Sequence, residues 1–175
     1  ENETFRYVAC KPNYYIAPTN KDKHGKELWN HHKMVKRTMF NYDGVEGGKT
    51  GYTTKAGGTL VTFAKRGDQE LIAVDLCAHG YELYEDTIKM LNYGFNNYKT
   101  IAPFKTMNTV LKDDTYGFLK TGNELSPYKI PLKHLNDVTV MLEKKQSASK
   151  LTYKCKDNKY IISYDGKQIG SVKLH

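Results

Sequence analysis

The sequence predicts an α+β protein, in which an antiparallel sheet with one packed helix precedes a small all-β, sandwich-like domain. Two apolar runs within residues 59–78 flank a polar turn, which is typical of a β-hairpin. Residues 81–97 repeat apolar side chains at helical spacing, and beyond Pro103 short alternating runs take over. A hydrophobic fraction of 39% in 175 residues is enough for a globular core.

The first region is expected to hold one continuous sheet. Residues 1–40 contain Pro12 and Pro18 and show no clean period, so they predict loop with short elements. Residues 49–54 predict a strand that joins the 59–78 hairpin in an antiparallel sheet. The second strand of that hairpin should bury Cys77 as a small hydrophobe, while Asp75 needs a partner or solvent.

The helix is predicted because four apolar residues recur at steps of four, three and four. They are Tyr84, Ile88, Leu91 and Phe95. Its acidic residues lie toward its N-terminal end, where they suit the helix dipole. The change of pattern near 99–103 divides the chain into domains 1–99 and 100–175. In the second domain, Asp165 and Gly166 predict a tight turn between two strands.

The amino-acid composition limits the classes of binding partner that the chain is expected to have. A net charge of +8 and a pI near 9.2 favour acidic partners, which could be nucleic acid, anionic lipid or an anionic cell wall, and charge alone does not choose among them. Nucleic acid is not expected, because its readers rely on arginine and the chain holds only Arg6, Arg37 and Arg66. No apolar run approaches the roughly 20 residues that cross a bilayer. Membrane anchoring is therefore expected only through segments outside this chain.

Neither a metal nor a cofactor is expected. His24, His31 and His32 have no carboxylate or cysteine at ligand spacing, so a solvated basic loop is the simpler interpretation. The three cysteines lie far apart and form no CxxC pair. They are Cys10, Cys77 and Cys155. One disulfide with one free thiol remains an open alternative to three free thiols.

The most informative stretch is the glycine-dense run 43–58. It presents the ammonium of Lys49 and the hydroxyl of Thr50 side by side, and Gly51 leaves room for another backbone to approach. Such a strand binds an extended anionic peptide end, because its edge pairs with the ligand backbone as an added strand. Lys49 and Thr50 would then make charge-assisted contacts to a carboxylate.

The surrounding residues resemble a known family. Gly-Val-Glu-Gly-Gly-Lys-Thr-Gly-Tyr-Thr at 44–53, Leu-Val-Thr-Phe-Ala-Lys-Arg at 60–66 and Leu-Asn-Tyr-Gly-Phe at 91–95 are similar to serine-type D-Ala-D-Ala carboxypeptidases, the low-molecular-mass penicillin-binding proteins. The resemblance implies a partial penicillin-binding, transpeptidase-like domain and an appended β-rich domain. It implies an extracytoplasmic enzyme that trims peptidoglycan stem peptides ending in D-Ala-D-Ala through an acyl-enzyme and captures β-lactams.

The resemblance also assigns roles to single residues. Catalytic Lys49 would add positive potential beside the nucleophile and help to transfer its proton, and Thr50 would hold the substrate carboxylate. Gly51 would permit the close approach of the ligand, and the backbone N–H of Tyr52 would donate to the oxyanion. Lys21 lies in a stretch where a family member carries a second basic contact to the carboxylate. A solvated loop lysine is the alternative for Lys21.

The nucleophile of that family is missing. Its motif order is Ser-x-x-Lys, Ser-x-Asn and Lys-Thr-Gly, and no serine precedes Lys49. Two later Ser-x-x-Lys matches, at 126–129 and 147–150, are interpreted as accidental because their surroundings are proline-rich or polar. The chain alone is expected to be inactive. The alternatives are a natural module that binds cell-wall peptides without turnover and a serine β-lactamase, which lacks an appended β domain.

Overall fold

The computed structural model forms two compact units, residues 1–96 and 97–175. The residues that it describes are 2–35, 39–105, 109–111, 116–121, 124–125, 130–131, 138–157 and 159–173. Antiparallel sheets and a packed helix confirm the α+β class. The assignment of 1–99 to part of a larger catalytic domain and of 100–175 to an appended domain stays a prediction. None of the described helices is long and apolar enough to cross a membrane.

Unit 1 contains two helices and five strands in its described residues. They are α1 (Glu3–Ala9), β1 (Asn13–Ile16), β2 (Lys26–Trp29), β3 (Val45–Thr53), β4 (Gly57–Arg66), β5 (Gln69–Ala78) and α2 (Glu82–Asn97). Strands β1 and β2 form an antiparallel pair, and β3, β4 and β5 form an antiparallel sheet in that order. The predicted strand, hairpin and helix are confirmed, although the strand begins earlier than expected, at Val45.

The core of unit 1 lies between this sheet and α2. Leu60 and Thr62 of β4 have no exposed surface, and Leu91 of α2 is 1% exposed. Burying one leucine in this way contributes about 1.5–3 kcal/mol to folding. Gly94 allows the helix to approach, because a Cβ there would lie 2.6 Å from Leu71 Cδ1. The close contact offsets the cost of about 1 kcal/mol that glycine imposes within a helix.

In strand β5 the exposure of Cys77 differs from the prediction, and the surroundings of Asp75 are now defined. Cys77 is exposed at φ +64° rather than buried, because Gly58 pairs with Ala78 and Thr59 with Leu76, which leaves Cys77 as the extra residue of a bulge. Asp75 is half-buried, and its Oδ2 is buried with no hydrogen-bond partner among the described residues. Burial, and after it the charge of Asp86, raises the pKa of Asp75 above its usual value.

Unit 2 contains nine short strands in the described residues. They are β6 (Tyr98–Ile101), β7 (Thr109–Leu111), β8 (Tyr116–Thr121), β9 (Glu124–Leu125), β10 (Ile130–Pro131), β11 (Val140–Glu143), β12 (Leu151–Lys156), β13 (Lys159–Tyr164) and β14 (Lys167–Lys173). Strand β6 pairs with β11, β8 pairs with β7, β9 and β10, and β12, β13 and β14 form a three-stranded antiparallel sheet. A sandwich-like arrangement of these sheets stays a prediction.

The β12–β13–β14 sheet buries one face. Tyr160 and Ile162 of β13 are 2% and 0% exposed and pack with Leu142 and Phe104. The turn between β13 and β14 confirms the prediction for Asp165 and Gly166, whose φ angles of +47° and +76° fit a hairpin turn with two left-handed residues.

Candidate functional site

The predicted binding strand, β3, lies at the edge of the unit 1 sheet. It pairs with β4 along one side, where Lys49 is opposite Val61, Thr50 opposite Leu60 and Gly51 opposite Thr59. Within the described residues no strand pairs with its other side. An edge strand of this kind leaves backbone N–H and C=O groups that an extended peptide can bind as an added strand.

Lys49 and Thr50 project from opposite faces of the sheet. Lys49 is exposed on the face turned away from α2, the outer face, and its Nζ donates to the carbonyl oxygen of Thr50. Thr50 is half-buried and opposite the fully buried Leu60, as the alternation of strand side chains requires. The two groups are therefore not side by side on one surface, and a ligand meets both only by lying along the edge of β3.

The glycines of β3 fit their surroundings within the fold. A Cβ at Gly48 would lie 2.1 Å from the carbonyl oxygen of Val61, and one at Gly51 would lie 2.5 Å from Thr59 Oγ1. Both contacts are far shorter than a Cβ tolerates. At Gly48 the obstacle is backbone, so glycine is needed there, whereas a Cβ at Gly51 would displace only the Thr59 hydroxyl. The predicted role of Gly51 toward a ligand stays a prediction.

The other two predicted residues occupy different settings. Tyr52 follows Gly51 on β3, and its side chain is 76% exposed. Lys21 is exposed in the loop between β1 and β2, where its backbone N–H donates to Thr19 Oγ1 at 3.3 Å. Lys21 does not line the groove beside Lys49. The structure brings Lys49, Thr50, Gly51 and Tyr52 together on one strand and does not bring Lys21 to them.

A groove of about 300 Å³ adjoins Lys49. Gly48 and Lys49 form one wall, and Phe5 of α1, Tyr14 of β1 and Trp29 of β2 supply aromatic rings around it. All three rings are more than half exposed. An apolar, aromatic surface therefore lies beside the ammonium group of Lys49 at the edge of β3.

Asn30 ties the elements around this groove together. Its Nδ2 donates to the carbonyl oxygens of Ala9 and Lys11 at 3.1 and 3.0 Å, and its Oδ1 accepts from the backbone N–H of His32 at 2.9 Å. One side chain therefore connects the end of α1, the residues just before β1 and the backbone at His32. No periodic pattern marks Asn30 in the sequence.

His32 supports β3 from the α2 side of the sheet. The side chain is fully buried, and its Nε2 lies 2.8 Å from Thr62 Oγ1. Its ring atoms Cδ2 and Nε2 are each 2.7 Å from the place a Gly48 Cβ would take, and the ring packs edge-on against Tyr84 with centroids 6.2 Å apart. Burial lowers the pKa of His32 to about 4, so the imidazole is neutral at pH 7.

Arg6 holds α1 against the sheet. It bonds to Glu46 of β3, lies 3.6 Å from Glu70 of β5 and stands over the ring of Phe63 at 5.7 Å. The bond to Glu46 is the main reason that the pKa of Arg6 is raised. These contacts fix α1 over the first half of β3, beside the Lys49 groove.

No group of three metal-ligating side chains occurs in the part of the chain that the structure describes. The expected solvated loop is wrong for His32, whose side chain is fully buried with its Nε2 facing Thr62. Cys10 and Cys77 are both free thiols. Burial raises the pKa of the Cys10 thiol, which is the opposite of what activates a nucleophilic cysteine.

Comparison with protein families gives a match over residues 9–80, to D-alanyl-D-alanine carboxypeptidase. D-alanyl-D-alanine carboxypeptidase DacF of Bacillus subtilis is 30% identical over 154 residues, which is 85% of this chain and 37% of that protein. D-alanyl-D-alanine carboxypeptidase DacC of Escherichia coli is 35% identical over 77 residues, 43% of this chain and 18% of that protein. The chain thus spans well under half the length of these relatives.

Two solved structures are similar over nearly the whole chain. Penicillin binding protein 5 from Haemophilus influenzae has a TM-score of 0.57 at 22% identity, covering 97% of this chain and 49% of that one. Penicillin binding protein 6B from Escherichia coli has a TM-score of 0.54 at 19% identity, covering 99% of this chain and 45% of that one. At these identities the similarity shows the fold, which is that of the penicillin-binding proteins.

Proposed function

We propose that β3 is the substrate-binding wall of a serine D-Ala-D-Ala carboxypeptidase, because residues 9–80 match that family and the DacF carboxypeptidase is 30% identical over 154 residues. One observation carries the proposal. Lys49-Thr50-Gly51 lies on an edge strand, and the edge that does not pair with β4 forms no backbone pairing with another described strand. The substrate is a peptidoglycan stem peptide, and the reaction takes place outside the cytoplasmic membrane beside the anionic cell wall.

The chemistry proposed for β3 combines its unpaired edge with the roles that the family resemblance implies for its residues. A stem peptide lies along the edge as an added strand, with its terminal carboxylate near the ammonium of Lys49 and the hydroxyl of Thr50. The backbone N–H of Tyr52 donates to the carbonyl oxygen of the scissile bond as negative charge develops there. One such donor lowers the barrier by about 3 kcal/mol.

The reaction needs a nucleophilic serine, and no serine precedes Lys49 in the sequence. That serine would attack the carbonyl between the two D-alanines, so that a C–O bond forms, the C–N bond breaks and D-alanine leaves with the proton. Water then releases the shortened peptide. A β-lactam would be captured by the same attack. Lys49 contributes positive potential beside the nucleophile and assists the transfer of its proton.

We do not assign the nucleophile to either of the later Ser-x-x-Lys matches. Residues 126–129 lie outside the described residues. Ser147 caps the short 3₁₀ helix Ala148–Lys150, is exposed in unit 2, and its hydroxyl lies 2.8 Å from that of Ser149. The catalytic serine of the family is expected on a buried helix with the lysine one turn later, and the exposed Ser147 does not match that setting. The proposed enzyme is therefore inactive as this chain alone.

A second candidate function is a cell-wall-peptide-binding module of the same fold that performs no turnover. It is favoured by an intact edge strand in a chain without a serine before Lys49. A serine β-lactamase is less consistent with the chain, because residues 97–175 form a further compact unit.

Labelling with a fluorescent penicillin separates these functions when it is applied to the 175-residue chain and to the full product of its gene. A covalent label on the full product alone supports the carboxypeptidase. Absence of label on both refutes the catalytic proposal and leaves the binding module.

Binding of an acetylated peptide ending in L-Lys-D-Ala-D-Ala, followed by NMR on this chain, tests the role of β3 itself. Lys49→Ala should weaken binding by about tenfold or more, which corresponds to one charge-assisted contact. Lys55→Ala removes another exposed lysine, just after β3, and should leave binding unchanged. Equal losses in both variants would show that only net charge matters.

A further inference from the structure

The outward face of the β12–β13–β14 sheet in unit 2 carries four lysines. Lys156 is directly opposite Lys159, and Lys159 is directly opposite Lys173, so three ammonium side chains cross the sheet in one row. Lys154 stands on the same face one step away, opposite Ile161. All four lysines are exposed, and the opposite face of the sheet is the buried one. We call this outward surface the lysine face.

Among the described residues, no ion pair neutralises the positive charge of this face. Directly opposite residues have Cβ atoms about 4.5–5.5 Å apart, and like charges in such pairs destabilise a sheet. None of the four lysines forms a salt bridge among the described residues. The acid nearest in the chain is Asp157, a single exposed residue in the turn between β12 and β13. An anion that bridges the row would remove the repulsion between its ammonium groups.

The other groups on the lysine face indicate which polyanion fits. Thr152, Ser163 and Ser171 lie on it and offer hydroxyls to phosphate oxygens. Its described residues include no aromatic ring on which a nucleic-acid base could stack, because the three tyrosines of β12 and β13 pack on the core side. Unit 2 also holds no arginine, since the three arginines of the chain precede residue 97.

A membrane surface fits less well. Peripheral binding to a bilayer combines basic charge with exposed apolar side chains that enter the interface. Ile161, which lies among the lysines, is half-buried, and the flanking outward residues carry hydroxyls. The surface is hydrophilic and strongly cationic.

We propose that the lysine face of unit 2 binds a linear polyol phosphate, a phosphodiester polymer without bases. The row of Lys156, Lys159 and Lys173 contacts successive phosphates, and the neighbouring hydroxyls bind their oxygens. This inference does not depend on the role of β3, because the two surfaces belong to different units. Failure of peptide binding at β3 and failure of polymer binding here are separate results.

The test measures the affinity of the 175-residue chain for poly(glycerol phosphate) as a function of salt. The triple variant Lys156→Gln, Lys159→Gln, Lys173→Gln should bind at least about tenfold more weakly. Its salt slope should fall by about 2 to 3, roughly one unit for each phosphate that the variant no longer neutralises. The matched control Lys145→Gln, Lys150→Gln, Lys167→Gln removes the same charge from the same unit outside the row. It should bind nearly as the parent chain does.

A charge-retaining variant and two other anionic ligands provide further tests of the lysine face. The triple variant Lys156→Arg, Lys159→Arg, Lys173→Arg retains the charge and should retain binding, and an unchanged circular dichroism spectrum of the glutamine triple excludes misfolding as the cause of its weaker binding. Equal weakening by the two glutamine triples would overturn the proposal, because only net charge would then matter. Tighter binding of single-stranded DNA, or of phosphatidylglycerol vesicles, than of poly(glycerol phosphate) would also overturn it, in favour of a nucleic-acid or a membrane surface.

Discussion

The outer face of the unit 1 sheet and the lysine face of unit 2 are built on the same architecture and carry opposite chemistry. Each belongs to a three-stranded antiparallel sheet whose other face is buried. In unit 1 the outer face shows Val61, Ile72, Val74 and Leu76 at 39%, 72%, 50% and 69% exposure. In unit 2 the corresponding face shows lysines and hydroxyls.

The two outer faces differ in how well their side chains suit exposure to solvent. A sheet with apolar residues on one face and polar residues on the other has a face for the core and a face for solvent, as in unit 2. The sheet of unit 1 is apolar on both faces over β4 and β5, which is the composition of a sheet with two covered faces. The hydrophobic pattern of β4 and β5 predicts both strands correctly but does not indicate which face α2 covers.

The largest effect should come from adjacent residues of β4 that face opposite sides. Leu60→Ala creates a cavity under α2 and should lower the free energy of unfolding by about 2–5 kcal/mol, measured in urea. Val61→Ala removes a side chain of the exposed face and should cost less than about 1 kcal/mol. A cost at Val61 equal to that at Leu60 would show that the outer face is packed in solution, which would remove the contrast between the two sheets.

A second prediction concerns the covered face of unit 1 and its response to acid. The pKa of His32 in the folded chain, about 4, lies below the unfolded value of 6.5, so the unfolded chain takes up the proton first as pH falls. The stabilising contribution is therefore complete above pH 6.5 and is lost as pH falls from about 6.5 to about 4, by up to roughly 3 kcal/mol.

His32→Gln keeps a polar group near Thr62 and should remove most of this pH dependence, measured by thermal unfolding across that range. His79→Gln, at a position outside the core, serves as the control and should leave the dependence intact. An unchanged slope in the His32 variant would show that the ring is not buried in the neutral form.

The bulge at the end of β5 gives a smaller effect. Cys77 holds φ +64°, a left-handed conformation that costs a residue with a Cβ about 1–2 kcal/mol. Cys77→Gly should therefore raise the free energy of unfolding by about 1 kcal/mol, and Cys77→Ala should not. Stabilisation by both variants would indicate that the thiol group, rather than the backbone conformation, is the cause.

Local sequence patterns predicted strands β4 and β5 and helix α2 of unit 1 correctly. The prediction for Cys77 was wrong because its exposure depends on pairing between two strands, which a local pattern does not show. The periods of 59–78 and 81–97 identify strands and helix because each spacing is repeated within a few residues. Cys77 was wrongly predicted as buried because the bulge depends on how β4 pairs with β5.

The strand that carries the candidate site was predictable from the sequence, whereas the roles of its residues stay predictions. Lys49, Thr50, Gly51 and Tyr52 are adjacent residues with a recognisable pattern, and they do share one strand. The packing of His32 under β3 rests on a contact with Thr62, 30 residues away, and no sequence spacing indicates it. The side-by-side placement of Lys49 and Thr50 was wrong for a local reason, because successive side chains of a strand point to opposite faces.

The smallest effect tests the lysine face of unit 2 without any ligand. If Lys156, Lys159 and Lys173 repel one another, replacing all three by glutamine should stabilise the sheet by a few tenths of a kcal/mol to about 1 kcal/mol at low salt. Amide hydrogen exchange of β13 reports this locally, and the gain should disappear at high salt, where such exposed charges are screened. The Lys145, Lys150 and Lys167 triple should give no comparable gain. Destabilisation by the first triple would mean that the lysine stems shield apolar surface such as Ile161, and the two outer faces would then differ less than their charges suggest.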